Sequence, residues 1–349
     1  MTDKRTALVL GATGGIGGEL AIALLRSGWH VRALHRQPAQ AAESAVQLTD
    51  VQWVAGDAMH REDVVAAAHG SEVIIHGVNP PGYRNWRGLA LPMLDNSIAA
   101  AKASGARLMF PGTVYNFGPD AFPNLSERSP QHPQTRKGKI RVAMEQRLGA
   151  SSQDGVRTLI VRAGDYFGPR TGNSWFAQGL IKPGRPVRAI RYPGRPDAGH
   201  AWAYLPDLAT TVVQLLQREQ ELADFASFHF AGHWLPAGIE MAHAIQRAVG
   251  NAQPPPIRRF PWALAYAASP FVTVFREMLE LRYLWQTPVR LDNAKLVAFL
   301  GAEPHTPIDT AVRATLIGLG CLPGQECARP AAHSRDPGPG TCQNRRATA

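Results

Sequence analysis

The chain has 349 residues, 45% of them apolar, which is enough to bury a large core and excludes an intrinsically disordered protein. Its formal net charge is +10 and its pI about 9.9, yet only 18% of the residues are charged and no long Lys/Arg run occurs. Basic residues dispersed in this way argue against nucleic acid and for anionic small molecules, an acidic substrate among them, as partners.

No apolar run reaches the ~18 residues that a membrane span requires. The opening MTDKRTALVL enters an apolar strand at once, with no room for a leader, so a cytoplasmic location is expected. The three cysteines, Cys321, Cys327 and Cys342, all lie near the C-terminal end. The folded body is therefore expected to hold no disulfide and no metal, and the thiols to be solvent-exposed bystanders.

From Thr6 to Arg36 the pattern is strand, glycine turn, helix, strand. Ala7 to Leu10 is a buried apolar run, and Ile16, Leu20, Ala23 and Leu24 recur at helical spacing before the second strand, Trp29 to Leu34. The turn between them carries Gly11, Thr13, Gly14, Gly15, Ile16 and Gly17. Gly11 lets the strand leave its plane, Gly14 clears the place where backbone N–H groups approach a pyrophosphate, and Gly17 lets the helix pack on the strand. The spacing is GxxGxxG, and GATGGIGG resembles the fingerprint of the short-chain dehydrogenase/reductase superfamily.

At the end of the second strand, Arg36 stands where an acidic residue would hold the free ribose of NAD. An arginine there can pair with the 2′-phosphate of NADP, so NADP is the expected cofactor, with NAD the alternative; the plain reading is an arginine that ends a strand in water. Val51 to Val54 reads as a third strand, followed by Asp57 and Ala58. The resemblance implies that Asp57 contacts the adenine amino group, and its plain reading is a turn residue or helix cap. A fourth strand, Glu72 to His76, runs into Gly77, Val78 and Asn79, small residues able to line the ribose and pyrophosphate.

After a helix from about Asn85 to Ser104, a fifth strand over Arg107 to Phe110 leads into Pro111-Gly112-Thr113-Val114-Tyr115. In the extended branch of the superfamily a Ser or Thr stands four residues before this tyrosine; here that place holds Pro111, and Thr113 is the nearby substitute. Further on comes Lys137-Gly138-Lys139-Ile140-Arg141-Val142-Ala143-Met144-Glu145. Aligned on Glu145, the family's YxxxK pair falls on Lys137 and Arg141, and no YxxxK occurs anywhere in the chain. The usual phenol that moves the proton is absent. The candidates for that role are Thr113, Tyr115 and Lys137, the last with its pKa lowered by Lys139 and Arg141.

A sixth strand, Arg157 to Arg162, enters Ala163-Gly164-Asp165-Tyr166-Phe167-Gly168-Pro169, and His200 to Ala209 carries a strand into a Pro-Asp-Leu-Ala helix start. Both segments are similar to ones that border the substrate pocket in the extended, epimerase/dehydratase-like branch. Later elements are a strand at Ser227 to Ala231, a helix at Ala237 to Val249, and one or two aromatic-rich helices over Trp262 to Trp285, interrupted near Pro270.

These readings predict an α/β fold: a doubly wound parallel sheet (Rossmann fold) with a smaller C-terminal substrate lobe. Residues 1–170, with 200–231 returning to them, would form the dinucleotide-binding domain; 171–199 and 232–321 the substrate lobe; 322–349 a disordered tail. The resemblance implies an NAD(P)-dependent oxidoreductase or epimerase acting on a carbonyl or secondary alcohol, such as a sugar nucleotide or a hydrophobic alcohol. The alternative is a non-catalytic NADP-binding sensor or scaffold. A small-molecule substrate and a homodimer complete the expectation.

Overall fold

The computed structural model describes residues 4–80 and 85–323. Alternating strands and helices open the chain: β1 (Thr6–Leu10), α1 (Gly15–Arg26), β2 (His30–His35), α2 (Pro38–Ser44), β3 (Gln52–Ala55), α3 (Arg61–Ala68) and β4 (Val73–His76). They continue with α4 (Trp86–Ser104), β5 (Arg107–Thr113), the short β6 (Asn124–Leu125), α5 (Arg136–Ser152) and β7 (Thr158–Ala163). The second half holds β8 (Asp165–Phe167), β9 (Ile190–Tyr192), β10 (His200–Tyr204), α6 (Leu205–Gln217), β11 (Phe225–His229), β12 (His233–Leu235) and α7 (Glu240–Val249). It ends with β13 (Ile257–Arg259), α8 (Trp262–Ala268), α9 (Thr273–Glu280), β14 (Arg290–Leu291), α10 (Ala294–Leu300) and α11 (Ile308–Gly318).

Seven strands form one sheet in the order β11-β7-β5-β4-β1-β2-β3, every pair parallel. Parallel strands need crossovers, and the crossovers place helices on both faces, which is why β1, β4, β5 and β7 read as near-continuous apolar runs. Leu20 and Leu24 of α1 and Leu208, Val212 and Leu216 of α6 fill one face. Val64 of α3, Leu94 of α4, and Met144 and Leu148 of α5 fill the other. The strand order reverses between β1 and β4, so the carboxyl ends of those strands open a crevice there.

Strand β10 pairs with β8 and β12 in a separate three-stranded sheet, while α6 and β11 from the same stretch pack on and join the main sheet. The smaller lobe has its own core of Phe167, Phe176, Trp202, Tyr204, Met241, Ile245, Trp285 and Leu316. Cys321 belongs to that core. It is 4% exposed, with Sγ 3.6 Å from the Lys182 carbonyl, and burial pushes its thiol pKa up. This corrects the expectation of an exposed bystander thiol: the turn after α11 carries Cys321 back onto the lobe. Cys327, Cys342 and the tail expected to be disordered lie outside the described residues, apart from Leu322 and Pro323. Among the described residues no helix is long and apolar enough to cross a membrane, and no cluster of His, Cys, Asp and Glu could hold a metal.

Two histidines are buried at the ends of sheet strands. His76 on β4 bonds Ser97 Oγ through Nδ1 at 2.8 Å, and His229 on β11 faces the Leu125 carbonyl at 3.2 Å. Burial, aided by the Arg141 and Arg162 guanidinium groups respectively, lowers both pKa values to about 3. The unfolded chain binds these protons near pH 6.5 and the folded chain does not. Stability is therefore expected to fall as pH drops from about 6.5 towards 3, by on the order of 1 kcal/mol per pH unit for each group. Urea midpoints at pH 7.5, 6 and 5 measure this, and a midpoint that stays flat would contradict it.

Candidate functional site

Strand β1 delivers the chain into the glycine turn at the crevice. Gly11 has φ +87°, a left-handed conformation that favours glycine, and a Cβ there would lie 2.7 Å from the Gly77 carbonyl oxygen. A Cβ on Gly17 would lie 2.2 Å from the Gly11 carbonyl oxygen, and one on Gly77 would lie 2.8 Å from that of Leu10. These three glycines keep β1, α1 and the exit of β4 in backbone contact. Gly14 differs: it caps α1, donates its N–H to Gly11 O at 2.9 Å, and an added Cβ would meet only that oxygen, at 3.2 Å. The first turn of α1 carries no acidic side chain, so nothing there opposes an anion at the helix N-terminus.

A cleft of about 530 Å³ opens above this turn. Gly11, Thr13, Gly14, Gly15 and Ile16 line it, with Arg36 from the end of β2, Asp57 and Ala58 after β3, and Gly77, Val78 and Asn79 after β4. Gly17 alone of the expected cofactor residues lies behind the surface, packed on β1. Arg36 is exposed and makes no hydrogen bond or ion pair among the described residues. Asp57 Oδ1 accepts the Met59 N–H at 2.9 Å, so it shapes its own turn while bordering the cleft. Glycines that leave the backbone bare, a helix N-terminus and the exposed Arg36 cation in one cleft fit the phosphates of a dinucleotide.

Sequence reasoning did not assign Tyr166, Thr171, Asn173 and Ser174, which line the same cleft. The signal for Tyr166 was the Ala163–Pro169 segment. Its hydroxyl donates to the Gly112 carbonyl at 3.4 Å, and burial pushes its pKa up to about 12 against the pull of Arg141, so the phenol stays protonated.

Of the three residues considered for proton transfer, none lines this cleft. Thr113 ends β5, where its Oγ1 accepts the Tyr115 N–H at 3.3 Å and caps a short turn. Tyr115 packs against the apolar cluster that holds Val114, Phe117 and Leu281, and its carbonyl abuts Gly138 of α5. Lys137 sits in the first turn of α5, which Thr135 fixes by accepting the Gly138 N–H at 2.9 Å. It is 2% exposed, with Nζ 3.1 Å from Glu277 Oε2 on α9. Burial lowers its pKa, Glu277 and Glu280 pull it back up, and the Arg136 cation is the smallest influence. This corrects the expectation that Lys139 and Arg141 depress it. Lys139 is exposed, and Arg141 donates to the Pro111 carbonyl at 3.2 Å and stacks near Trp86 and Phe110. Lys137 lines two cavities beside the cleft, and the smaller of these shares Ser174 with it.

A glycine turn at the strand crossover of a doubly wound sheet is the architecture of a dinucleotide-binding α/β fold. The chain belongs to the NAD-dependent epimerase/dehydratase family, whose model matches residues 7–228. The UDP-glucuronic acid 4-epimerase of Bacillus cereus, solved with UDP-glucuronic acid and NAD, superposes with a TM-score of 0.69 at 16% identity, over 90% of this chain and 99% of that one. The UDP-glucose 4-epimerase of Bifidobacterium longum, with NAD+ and UDP, gives a TM-score of 0.67 at 16% identity over 91% and 98% of the two chains. In sequence, the chain is 31% identical over 182 residues to a 3-diazoavenalumate denitrifying reductase of a Streptomyces species, covering 47% of this chain and 57% of that protein.

Proposed function

We propose that this protein is an oxidoreductase of the extended short-chain dehydrogenase/reductase type that reduces a small carbonyl-class molecule with NADPH. Lys137 serves as its proton donor. The observation that carries this reading is the buried Lys137 ammonium, paired with Glu277 at 3.1 Å in the first turn of α5, where the family's YxxxK spacing would put its tyrosine.

In this reading the N–H groups of Gly15 and Ile16 hold the pyrophosphate over the bare Gly14, Arg36 holds the 2′-phosphate, Asp57 and Ala58 the adenine, and Gly77, Val78 and Asn79 the ribose side. The dinucleotide, when bound, supplies the hydride. Lys137 Nζ gives its proton to the substrate oxygen that gains negative charge, and Glu277 keeps the amine protonated until then. Arg141 donates to the Pro111 carbonyl and so ties α5, with Lys137 in its first turn, to β5. Epimerisation at a sugar hydroxyl, the activity named for the two structural neighbours, begins by removing a hydroxyl proton. A lysine paired with a carboxylate at 3.1 Å is placed to give up a proton, the opposite direction.

The test is NADPH oxidation with a panel of aldehydes, ketones and enones. Turnover that is lost in Lys137→Met supports the reading. Tight NADPH binding without turnover of any of them would favour the second reading, a dinucleotide-binding sensor or scaffold, to which Thr113 and Tyr115 lend weight by lying outside the cleft.

Arg36 gives a separate expectation. A charge-assisted contact contributes on the order of 1.5 kcal/mol, so NADPH is expected to bind roughly ten-fold tighter than NADH, and Arg36→Ala to erase most of that difference. Calorimetric titration of both proteins with both cofactors decides it; equal affinities in the parent would count against Arg36.

A further inference from the structure

A cavity of about 660 Å³ is lined by the N-terminal turns of α4 and α5 and bordered by α9. That volume suits a small organic molecule. Its apolar walls include Leu91, Ile140 and Ala143, and Lys137 lines it. Five cationic side chains and two carboxylates border it, an excess of three positive charges. The carboxylates are already engaged: Glu277 holds Lys137 at 3.1 Å and Arg136 at 3.4 Å, and Glu280 accepts the backbone N–H of Arg136. Arg87 of α4 and Lys139 of α5 line the same cavity, exposed, with no ion pair among the described residues. Like charges brought to one cavity without a counter-ion repel, and an anion between them turns that cost into attraction.

We propose that this cavity takes the carboxylate of a small apolar acid, with Arg87 and Lys139 holding the anion and the apolar walls holding its body. This names the substrate class of the reductase and rests on Lys137 acting from the same cavity. A neutral compound of the same shape would leave both cations uncompensated.

The experiment measures binding, not turnover. The full chain, with and without NADPH, is titrated calorimetrically with trans-cinnamate, with trans-cinnamamide, which has the shape without the charge, and with phenyl phosphate. Cinnamate is expected to bind at least ten-fold tighter than the amide, and to weaken when the ionic strength rises from about 0.05 to about 0.3 M, as screening requires. The double variant Arg87→Ala/Lys139→Ala, both positions exposed, is expected to lose about ten-fold in cinnamate affinity while keeping the parent's NADPH affinity and melting temperature. Equal binding of acid and amide, no binding of either, or an unaffected double variant would overturn the proposal. Preference for phenyl phosphate would overturn the carboxylate assignment. Because no reaction is read, a protein that binds cinnamate as described yet never oxidises NADPH would sink the reductase reading and leave the anion site standing.

Discussion

Gly14→Val is expected to abolish dinucleotide binding while the fold survives. An added Cβ at Gly14 meets only the Gly11 carbonyl oxygen, at 3.2 Å, and Gly14 has an ordinary φ of −84°, so the branched side chain projects into the cleft where a pyrophosphate would lie. Gly17→Ala is expected to fail in the opposite way. Its Cβ would stand 2.2 Å from the Gly11 carbonyl oxygen, a backbone atom that cannot swing aside. The cost is at least the roughly 1–3 kcal/mol of an overpacked core, and the melting temperature should drop with it. Calorimetry with NADPH and thermal unfolding of both variants separate the two effects. A Gly14→Val protein that binds NADPH like the parent would move the phosphate site elsewhere.

Replacing Lys137 by Met is expected to lower kcat by about 10²–10⁴-fold, the range for loss of a general acid, with NADPH affinity unchanged because Lys137 does not line the dinucleotide cleft. The parent's rate should fall on the alkaline side as the ammonium deprotonates, at a pH below the ordinary lysine value because burial lowers this pKa. Glu277 works against burial, so Glu277→Gln should move that alkaline limb to lower pH, whereas Thr113→Val and Tyr115→Phe should leave it in place. A pH profile is the readout. An unchanged limb in Glu277→Gln, or full activity in Lys137→Met, would remove Lys137 from the chemistry.

The nucleotide-binding half was legible because its signals are local. Apolar runs of strand length, a 3.6-residue period in α1 and α6, and glycines at a strand-to-helix turn each lie within one stretch of chain. The same locality explains why Arg36, Asp57 and Asn79, far apart in sequence, could be expected to face one ligand: all follow the carboxyl ends of parallel strands. What escaped depends on distant pairing. Nothing near Lys137 announces Glu277, 140 residues later, so the sequence points to the neighbours Lys139 and Arg141 as the influence on its pKa, where the structure has burial and Glu277 of α9. Strand β10 reads like part of the main sheet because a helix of that sheet follows it, yet its hydrogen bonds go to β8 and β12. Cys321 looked exposed because a Pro- and Gly-rich tail follows; its burial comes from Leu316 and Leu319, which carry the chain end onto the lobe.

The order of strands in the main sheet also bears on how a ribosome must make this protein. Strand β7, Thr158–Ala163, is buried at every residue, yet its outer partner β11 begins only at Phe225, after β8, β9, β10 and α6 have been synthesised. At 5–20 residues per second, that gap of about sixty residues leaves the apolar edge of β7 unpaired for roughly 3–12 s. An open, apolar parallel edge is a template for pairing with other chains, so the interval between the emergence of β7 and that of β11 is where the nascent chain is most open to such pairing.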